Sequence, residues 1–243
     1  MVIVSAYFKI PSKFSHAFYM DNIRRFLKNI ETHIIFFSTP DLVDDLRRMR
    51  PAAYPLTLLT YNTIEDIEAY MKYGTEFWAR HSQLDNGRNV TTPPLSAVWY
   101  NKKEFILRAN RVTQEPGPYI WCDAGCIRSD DWFPEALKFG QHLDLVPKDK
   151  IMIQILEYVP MEPTLLTWPS CHMAGAIMAG YIETWKKASE LYDEILSEYD
   201  KKSLPAASDQ YVWGACATFE PELFLKVYPI TSPDKWFFFL NLL

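Results

Sequence analysis

The sequence predicts an α/β fold with a mixed, mainly parallel sheet flanked by helices. The first observation is an opening series of strand, helix, strand, helix and strand. The second is an apolar run at 119–122 that ends in an acid, Asp123, and the third is a small-residue segment at 172–180. Strands that alternate with helices favour parallel pairing, and small residues suit a strand approached closely by another backbone.

The elements follow from hydrophobic periodicity. Strands are predicted at 2–8, 33–37, 56–60, 119–122, 151–159 and 172–180. Helices are predicted at 15–30, 40–49, 62–84 with an interruption at Gly74, 95–112, 130 onward, 182–199 and 209 onward. Ser15 and Ser208 are expected to cap two of these helices. The apolar tail, 236–243, must be buried or lie against a partner or a membrane, and burial is the favoured interpretation.

Composition indicates one globular domain, 1–243. The 243 residues are 49% hydrophobic and 23% charged, and the net charge of −5 gives no general attraction to nucleic acid or anionic lipid. The four cysteines lack the spacing of a zinc site and are expected to be reduced. Because neither a signal peptide nor an apolar run of about 18 residues is present, the expected location is cytoplasmic, and the sequon at Asn89 then has no meaning.

Several function classes lack their motif. The chain has only eight glycines and contains neither a P-loop nor a GxGxxG pattern, which argues against mononucleotide kinases and dinucleotide oxidoreductases. It has no GxSxG elbow, and its histidines are scattered, so a hydrolase triad has no support.

The acid Asp123 follows the strand at 119–122, and Gly125 follows it in turn. Ligands of open α/β sheets bind outside the carboxyl ends of strands, so Asp123 is a candidate ligand to a metal or substrate. The alternative is that Asp123 only caps the turn.

This pattern suits transfer of a sugar from a nucleotide. A divalent ion held by one carboxylate would neutralise a diphosphate leaving group, and a second carboxylate, Asp209, could orient or deprotonate an acceptor hydroxyl. Lys102 and Arg128 could assist the diphosphate by charge-assisted hydrogen bonds. The alternatives are that Asp209 only begins a helix and that Lys102 is an ordinary solvated lysine. Trp99, Trp121 and Trp213 are expected in the core.

The chain resembles the HtrL/YibB-like family. The matching pieces are 4–8, 35–38, 99–102, 121–128, 172–175 and 209–211, in this order along most of the chain. The most specific is Trp-x-Asp-x-Gly-x-x-Arg, which begins at Trp121.

This resemblance implies a GT-A-like glycosyltransferase fold in which residues 1–128 bind the nucleotide sugar and residues 129–243 face the acceptor. It implies that Asp123 binds Mn²⁺ or Mg²⁺ and that Asp209 is catalytic. The substrate-binding residues it implies are Ala6, Tyr7, Ser38, Lys102, Gly125, Arg128, His172 and Gly175. His172 has a structural role as its alternative. The chain departs from the Asp-x-Asp motif of such enzymes because position 125 is glycine, and Asp130 is a candidate substitute.

We therefore expect a glycosyltransferase that moves a sugar from a nucleotide-diphosphate sugar to a hydroxyl of a glycan or another acceptor. One rival interpretation is a non-catalytic nucleotide- or carbohydrate-binding module with a degenerate metal site. Another is a membrane-associated assembly protein that uses the tail at 236–243.

Overall fold

The structure is a computed structural model that describes residues 1–85, 91–132, 134, 137–156, 173–229 and 236–243. A sheet of seven strands runs through it. The strands are β1 Val2–Ala6, β2 Ile34–Ser38, β3 Leu56–Thr60, β4 Tyr119–Cys122, β5 Ile151–Ile155, β6 Met173–Gly180 and β7 Phe224–Val227.

The sheet has the order β3-β2-β1-β4-β6-β5-β7. The first four strands in this order are parallel, β6 is antiparallel to both of its neighbours, and β7 is parallel to β5. This confirms the predicted mixed, mainly parallel sheet. The chain order reverses between β1 and β4, because β2 and β3 lie on one side of β1 and β4 lies on the other. Such a reversal opens a crevice at the carboxyl ends of the two strands.

Helices cover both faces of the sheet. The α-helices are α1 His16–Asn29, α2 Val43–Met49, α3 Glu68–Leu84, α4 Pro93–Tyr100, α5 Lys102–Thr113, α6 Ile182–Lys201, α7 Asp209–Phe219 and α8 Phe239–Leu242. The short 3-10 helices are Pro40–Leu42, Ile64–Asp66, Asp130–Trp132, Leu143–Leu145 and Pro221–Leu223. Helices α3 to α7 contribute to one hydrophobic core, and α1, α2 and α8 contribute to the other.

Side chains of the strands alternate between these two cores. In β4, Tyr119 and Trp121 point into the core beneath α3–α7, whereas Ile120 and Cys122 point into the opposite core. This is the period of two that a strand imposes on its side chains. Since both faces are covered, the strand sequence is apolar throughout, as the sequence shows.

The predicted helix at 95–112 is two helices, α4 and α5, which meet at Asn101. The Asn101 side chain is fully buried, accepts a hydrogen bond from the Ala69 backbone N–H at 2.9 Å and donates one to Glu68 at 3.0 Å. These bonds to α3 fix the junction between α4 and α5. The predicted interruption at Gly74 is confirmed, since this residue has φ 75° and ψ 172° inside α3.

The tail packs into the second core, as predicted. Phe237, Phe239, Leu240 and Leu243 are buried there, while Trp236 is partly exposed. The Phe239 backbone N–H donates to the Gln154 side chain at 2.9 Å, which joins the tail to β5. None of the helices within the described residues is both long and apolar enough to cross a membrane.

Candidate active site

A cleft of about 300 Å³ lies at the carboxyl ends of β1 and β4. The parallel register, in which Val4 pairs with Trp121, brings the residues that follow both strands to the same edge of the sheet. Tyr7 and Asp123 therefore line one cleft although they are distant in sequence. The position agrees with the rule that ligands of open α/β sheets bind where the strand order reverses.

Asp123 presents its carboxylate to this cleft. Its backbone N–H donates to the Ala176 carbonyl at 2.8 Å, and its own carbonyl accepts from the Cys126 N–H at 3.0 Å to close a turn. The turn is thus made by backbone groups. The side chain keeps 35% of its surface exposed, and its Oδ1 accepts a hydrogen bond from Trp121 Nε1 at 2.7 Å. The carboxylate is available to a ligand and is held in one orientation.

Lys102 lies behind Asp123 and is almost fully buried. Its ammonium donates to the Gly175 carbonyl at 2.8 Å and lies 2.8 Å from Asp209 Oδ2 and 3.3 Å from Asp123 Oδ1. Burial opposes the charge, but the two carboxylates outweigh it and raise the pKa of Lys102 above its ordinary value. The interpretation of Lys102 as a solvated lysine was wrong, because α5 begins with this side chain pointing into the protein.

Asp209 begins α7 and is only 4% exposed. It is not among the residues that line the cleft, and Lys102 lies between it and Asp123. Burial raises the pKa of Asp209, although the Lys102 ammonium counteracts this effect. The contact with Lys102 is an ion pair rather than a regular hydrogen bond of Oδ2. Ser208 occupies the N-cap position of α7 as predicted, but its side chain makes no capping bond.

Gly175 gives this ion pair its space. A Cβ at this position would lie 2.9 Å from Asp209 Oδ2 and 3.2 Å from Oδ1, closer than such atoms approach. Its carbonyl is also an acceptor for Lys102. Gly175 is not among the residues that line the cleft, and its contacts are with Asp209 and Lys102. Its role in binding substrate stays a prediction.

Four other predicted substrate residues line the cleft: Ala6, Tyr7, Gly125 and Arg128. The exposed guanidinium of Arg128 lies 4.6 Å from the centre of the Phe237 ring. Ser38 does not line the cleft. Its buried hydroxyl donates to the Tyr7 carbonyl at 2.8 Å, so it supports the cleft wall from behind. His172 lies outside the described residues.

Asp130 forms an ion pair with Arg25, away from the cleft. Its carboxylate is 72% exposed and accepts from Arg25 Nε at 2.8 Å, outside the residues that line the cleft. The ion pair with α1 explains this placement. Asp130 consequently does not take the place of the second carboxylate that Gly125 lacks.

The sequence interpretation missed Phe14, Phe18 and Tyr19, which line the cleft together with the predicted Tyr7; we call these four residues the aromatic wall. The rings of Phe14 and Phe18 lie 4.4 Å apart, and both side chains are about two-fifths exposed at 41% and 40%. The hydroxyl of Tyr7 shares a hydrogen bond with His16 Nδ1 at 2.8 Å, and burial together with Tyr19 raises the pKa of Tyr7 to about 12. The available signal was the spacing of Phe14 and Phe18, four residues apart across a helix start.

Of the three tryptophans expected in the core, two are buried and the third is only half-buried. Trp121 and Trp213 are buried, and Trp121 also forms part of the cleft floor. Trp99 is half-buried and lines the cleft. The exposed side chain of Lys13 also lies at the cleft.

The donor set does not fit a resident divalent ion. Mg²⁺ and Mn²⁺ prefer several oxygen ligands, whereas Asp123 is the single carboxylate that the described residues bring to the cleft. One oxygen of that carboxylate already accepts from Trp121 and faces the Lys102 ammonium. Across the described ranges, no three His, Cys, Asp or Glu side chains come together as a metal site.

Comparison with known proteins supports the fold. No protein-family model and no curated protein matches the sequence. Among solved structures, mouse xyloside xylosyltransferase 1 in its apo form resembles this chain with a TM-score of 0.51 and 12% identity. The match covers 93% of this chain and 84% of that one. The fold is therefore GT-A-like and Rossmann-type, as predicted, and it is glycosyltransferase-like at the coarse level. Membership of the HtrL/YibB-like family stays a prediction.

Proposed function

We propose that this protein is a glycosyltransferase that moves a hexose or a pentose from a nucleotide-diphosphate sugar to a hydroxyl of a glycan or another acceptor. The observation that carries the proposal is the cleft between the ends of β1 and β4, which combines an oriented carboxylate, two exposed cations and an aromatic wall. The likeness to a xylosyltransferase adds fold-level support only, because fold alone does not determine function.

Each part of the cleft has a chemical role in this reaction. The aromatic wall offers ring faces on which a base or a sugar can stack. Arg128 and Lys13 offer positive charge to a diphosphate, whose leaving requires its developing negative charge to be stabilised. Asp123, held by Trp121, can accept a hydrogen bond from a sugar hydroxyl.

In this proposal Asp209 acts indirectly, through its ion pair with Lys102. Because its carboxylate is buried and paired with Lys102, it keeps the ammonium in place and is not in reach of an acceptor in the cleft. The proposed catalytic role of Asp209 thus becomes a positioning role. Residues 1–128 would still contribute most of the donor site, since they supply the strand ends that form the cleft.

The test is transfer and hydrolysis of UDP- and GDP-sugars by the pure protein, compared with an Asp123→Ala variant. We expect Asp123→Ala to abolish turnover and to lower the melting temperature only modestly, since Lys102 keeps Asp209 and the Gly175 carbonyl as partners. The matched control is Asp44→Ala, which removes an equally charged side chain that is 81% exposed and outside the cleft. Failure of every donor to bind or react would refute the proposal.

A second candidate is a non-catalytic nucleotide- or carbohydrate-binding module. The burial of Asp209 favours it, because the described part of the chain then brings only one carboxylate to the cleft for catalysis. Donor binding by calorimetry without any turnover, in the presence of varied acceptors, would support this candidate over the transferase.

A further inference from the structure

The ammonium of Lys102 occupies the space between two carboxylates that belong to different parts of the fold. Asp123 follows β4 and Asp209 begins α7, and Nζ lies 3.3 Å from the first and 2.8 Å from the second. The same ammonium donates a hydrogen bond to the Gly175 carbonyl at 2.8 Å, so three oxygen atoms of the chain surround it. The site is thus built around a cation that the chain supplies itself.

A divalent ion would have to compete with this ammonium. Its positive charge would lie beside that of Lys102, and Asp123 would offer it only Oδ2, since Oδ1 already interacts with Lys102 and Trp121. Asp209, the second carboxylate, is separated from the cleft by Lys102. The described residues therefore arrange their acids for a fixed ammonium and not for an ion that exchanges with solvent.

The charge balance of the cleft is consistent with an anionic ligand. Lys102 compensates the negative charge of Asp123 at short range. This leaves Lys13 and Arg128, both exposed at the cleft, to meet a diphosphate. Without the ammonium, the two uncompensated carboxylates would repel the same ligand.

We propose that Lys102 takes the place of a divalent ion in this cleft, so that a nucleoside diphosphate binds without metal while Asp123 and Asp209 are held by the ammonium. This inference rests on the proposed function for its choice of ligand. It differs from the expectation that Asp123 binds Mn²⁺ or Mg²⁺.

The experiment measures binding of UDP and GDP by calorimetry in EDTA and in MnCl₂. Wild-type protein should bind with the same affinity under both conditions. Lys102→Ala should weaken binding in EDTA by at least about tenfold, and MnCl₂ should restore part of the loss, because the ion can now reach both carboxylates. The control variant Lys13→Ala should weaken binding without any dependence on Mn²⁺, since its side chain is exposed and pairs with no carboxylate among the described residues.

Electron paramagnetic resonance of Mn²⁺ gives an independent readout without nucleotide. Wild-type protein should leave Mn²⁺ free, and Lys102→Ala should gain a bound ion that Asp123→Asn removes. The inference is overturned if wild-type binding of UDP or GDP requires Mn²⁺, or if wild-type protein binds Mn²⁺ through Asp123. Both wild-type measurements stand even if Lys102→Ala fails to fold.

Different results would refute the proposed function and the proposed role of Lys102. If neither nucleotide binds under any condition, the proposed function is refuted, and the Mn²⁺ titration then decides the role of Lys102. If nucleotide binds only with Mn²⁺, the transferase proposal survives and the role of Lys102 is refuted.

Discussion

The Lys102 ammonium lies 2.8 Å from Asp209 Oδ2, and both side chains are only 3% exposed. Lys102 is the first residue of α5, and Asp209 is the first residue of α7. A carboxylate is stabilised at a helix N-terminus, whereas an ammonium is not. The carboxylates must therefore compensate both the burial of Lys102 and its position, which explains why two of them surround it.

Replacing Lys102 by Met tests this relationship through stability. Removal of one partner of a buried ion pair typically lowers the free energy of unfolding by about 3–5 kcal/mol, because a buried charge is left without compensation. We expect a loss in this range from urea denaturation. The double variant Lys102→Met with Asp209→Asn should regain a large part of it, because the most buried uncompensated charge is then gone. Equal stabilities of the single and double variants would contradict this account.

Gly175→Ala tests the space around Asp209. The added Cβ would lie 2.9 Å from Asp209 Oδ2, so the carboxylate must move and its contact with Lys102 must change. We expect a loss of about 1–3 kcal/mol, the usual cost of overpacking, measured by thermal or urea denaturation. Gly125→Ala is the matched control, since a Cβ there would meet nothing within 4 Å. A similar loss in both variants would indicate a general cost of removing glycine.

The pH dependence of stability should reflect two histidines, the buried His81 and the half-buried His33. Burial lowers the pKa of His81 in α3 and also that of His33, although Asp200 and Glu115 respectively oppose this effect. The unfolded chain then takes up protons more readily than the folded protein, so unfolding is favoured as the pH falls. The stability that depends on keeping these histidines neutral is fully present above about pH 6.5, the ordinary pKa of histidine. It is lost as the pH falls from there through their lowered pKa values in the folded protein.

The measurement is the free energy of unfolding from neutral to mildly acidic pH. His81→Gln should reduce the fall in stability over this window, and adding His33→Gln should reduce it further. An unchanged pH profile in the double variant would show that other groups control it.

The packing of the tail can be tested at Phe239, whose side chain is fully buried. Phe239→Ala should lower the free energy of unfolding by about 3–5 kcal/mol, the typical cost of removing a buried aromatic ring. Trp236→Ala should cost clearly less, because that side chain is 42% exposed. Neither protein should pellet with liposomes. Pelleting that depends on residues 236–243 would revive the membrane-associated interpretation.

The thiols should be protected in the native protein. Cys122, Cys126 and Cys216 are buried, and burial raises the pKa of Cys122 and of Cys216 well above the ordinary value. Since the thiolate is the reactive form, we expect these three to react with a thiol reagent only after unfolding. Rapid labelling of any of the three under native conditions, located by mass spectrometry, would contradict the observed packing.

The sequence by itself determined the class of fold and most of the elements, but not the division of the helix at 95–112 or the strand β7. Hydrophobic periodicity lies within a few residues along the chain, so β1, β2 and β3 and the helices between them could be predicted locally. Asp123 could be found in the same way, because an acid directly after a buried strand is a local pattern. Gly74 and the buried tail were predicted for similar reasons.

Only the tertiary structure decided which charged groups meet. Lys102, Asp123, Gly175 and Asp209 lie in four separate segments of the chain, and no one segment specifies the strand order that brings them together. Contacts between distant segments also place Ser38 behind the cleft and pair Asp130 with Arg25. They likewise bring Phe14 and Phe18 to the cleft wall. Local patterns determine secondary structure, whereas the burial and the partners of a charge depend on contacts between distant parts of the chain.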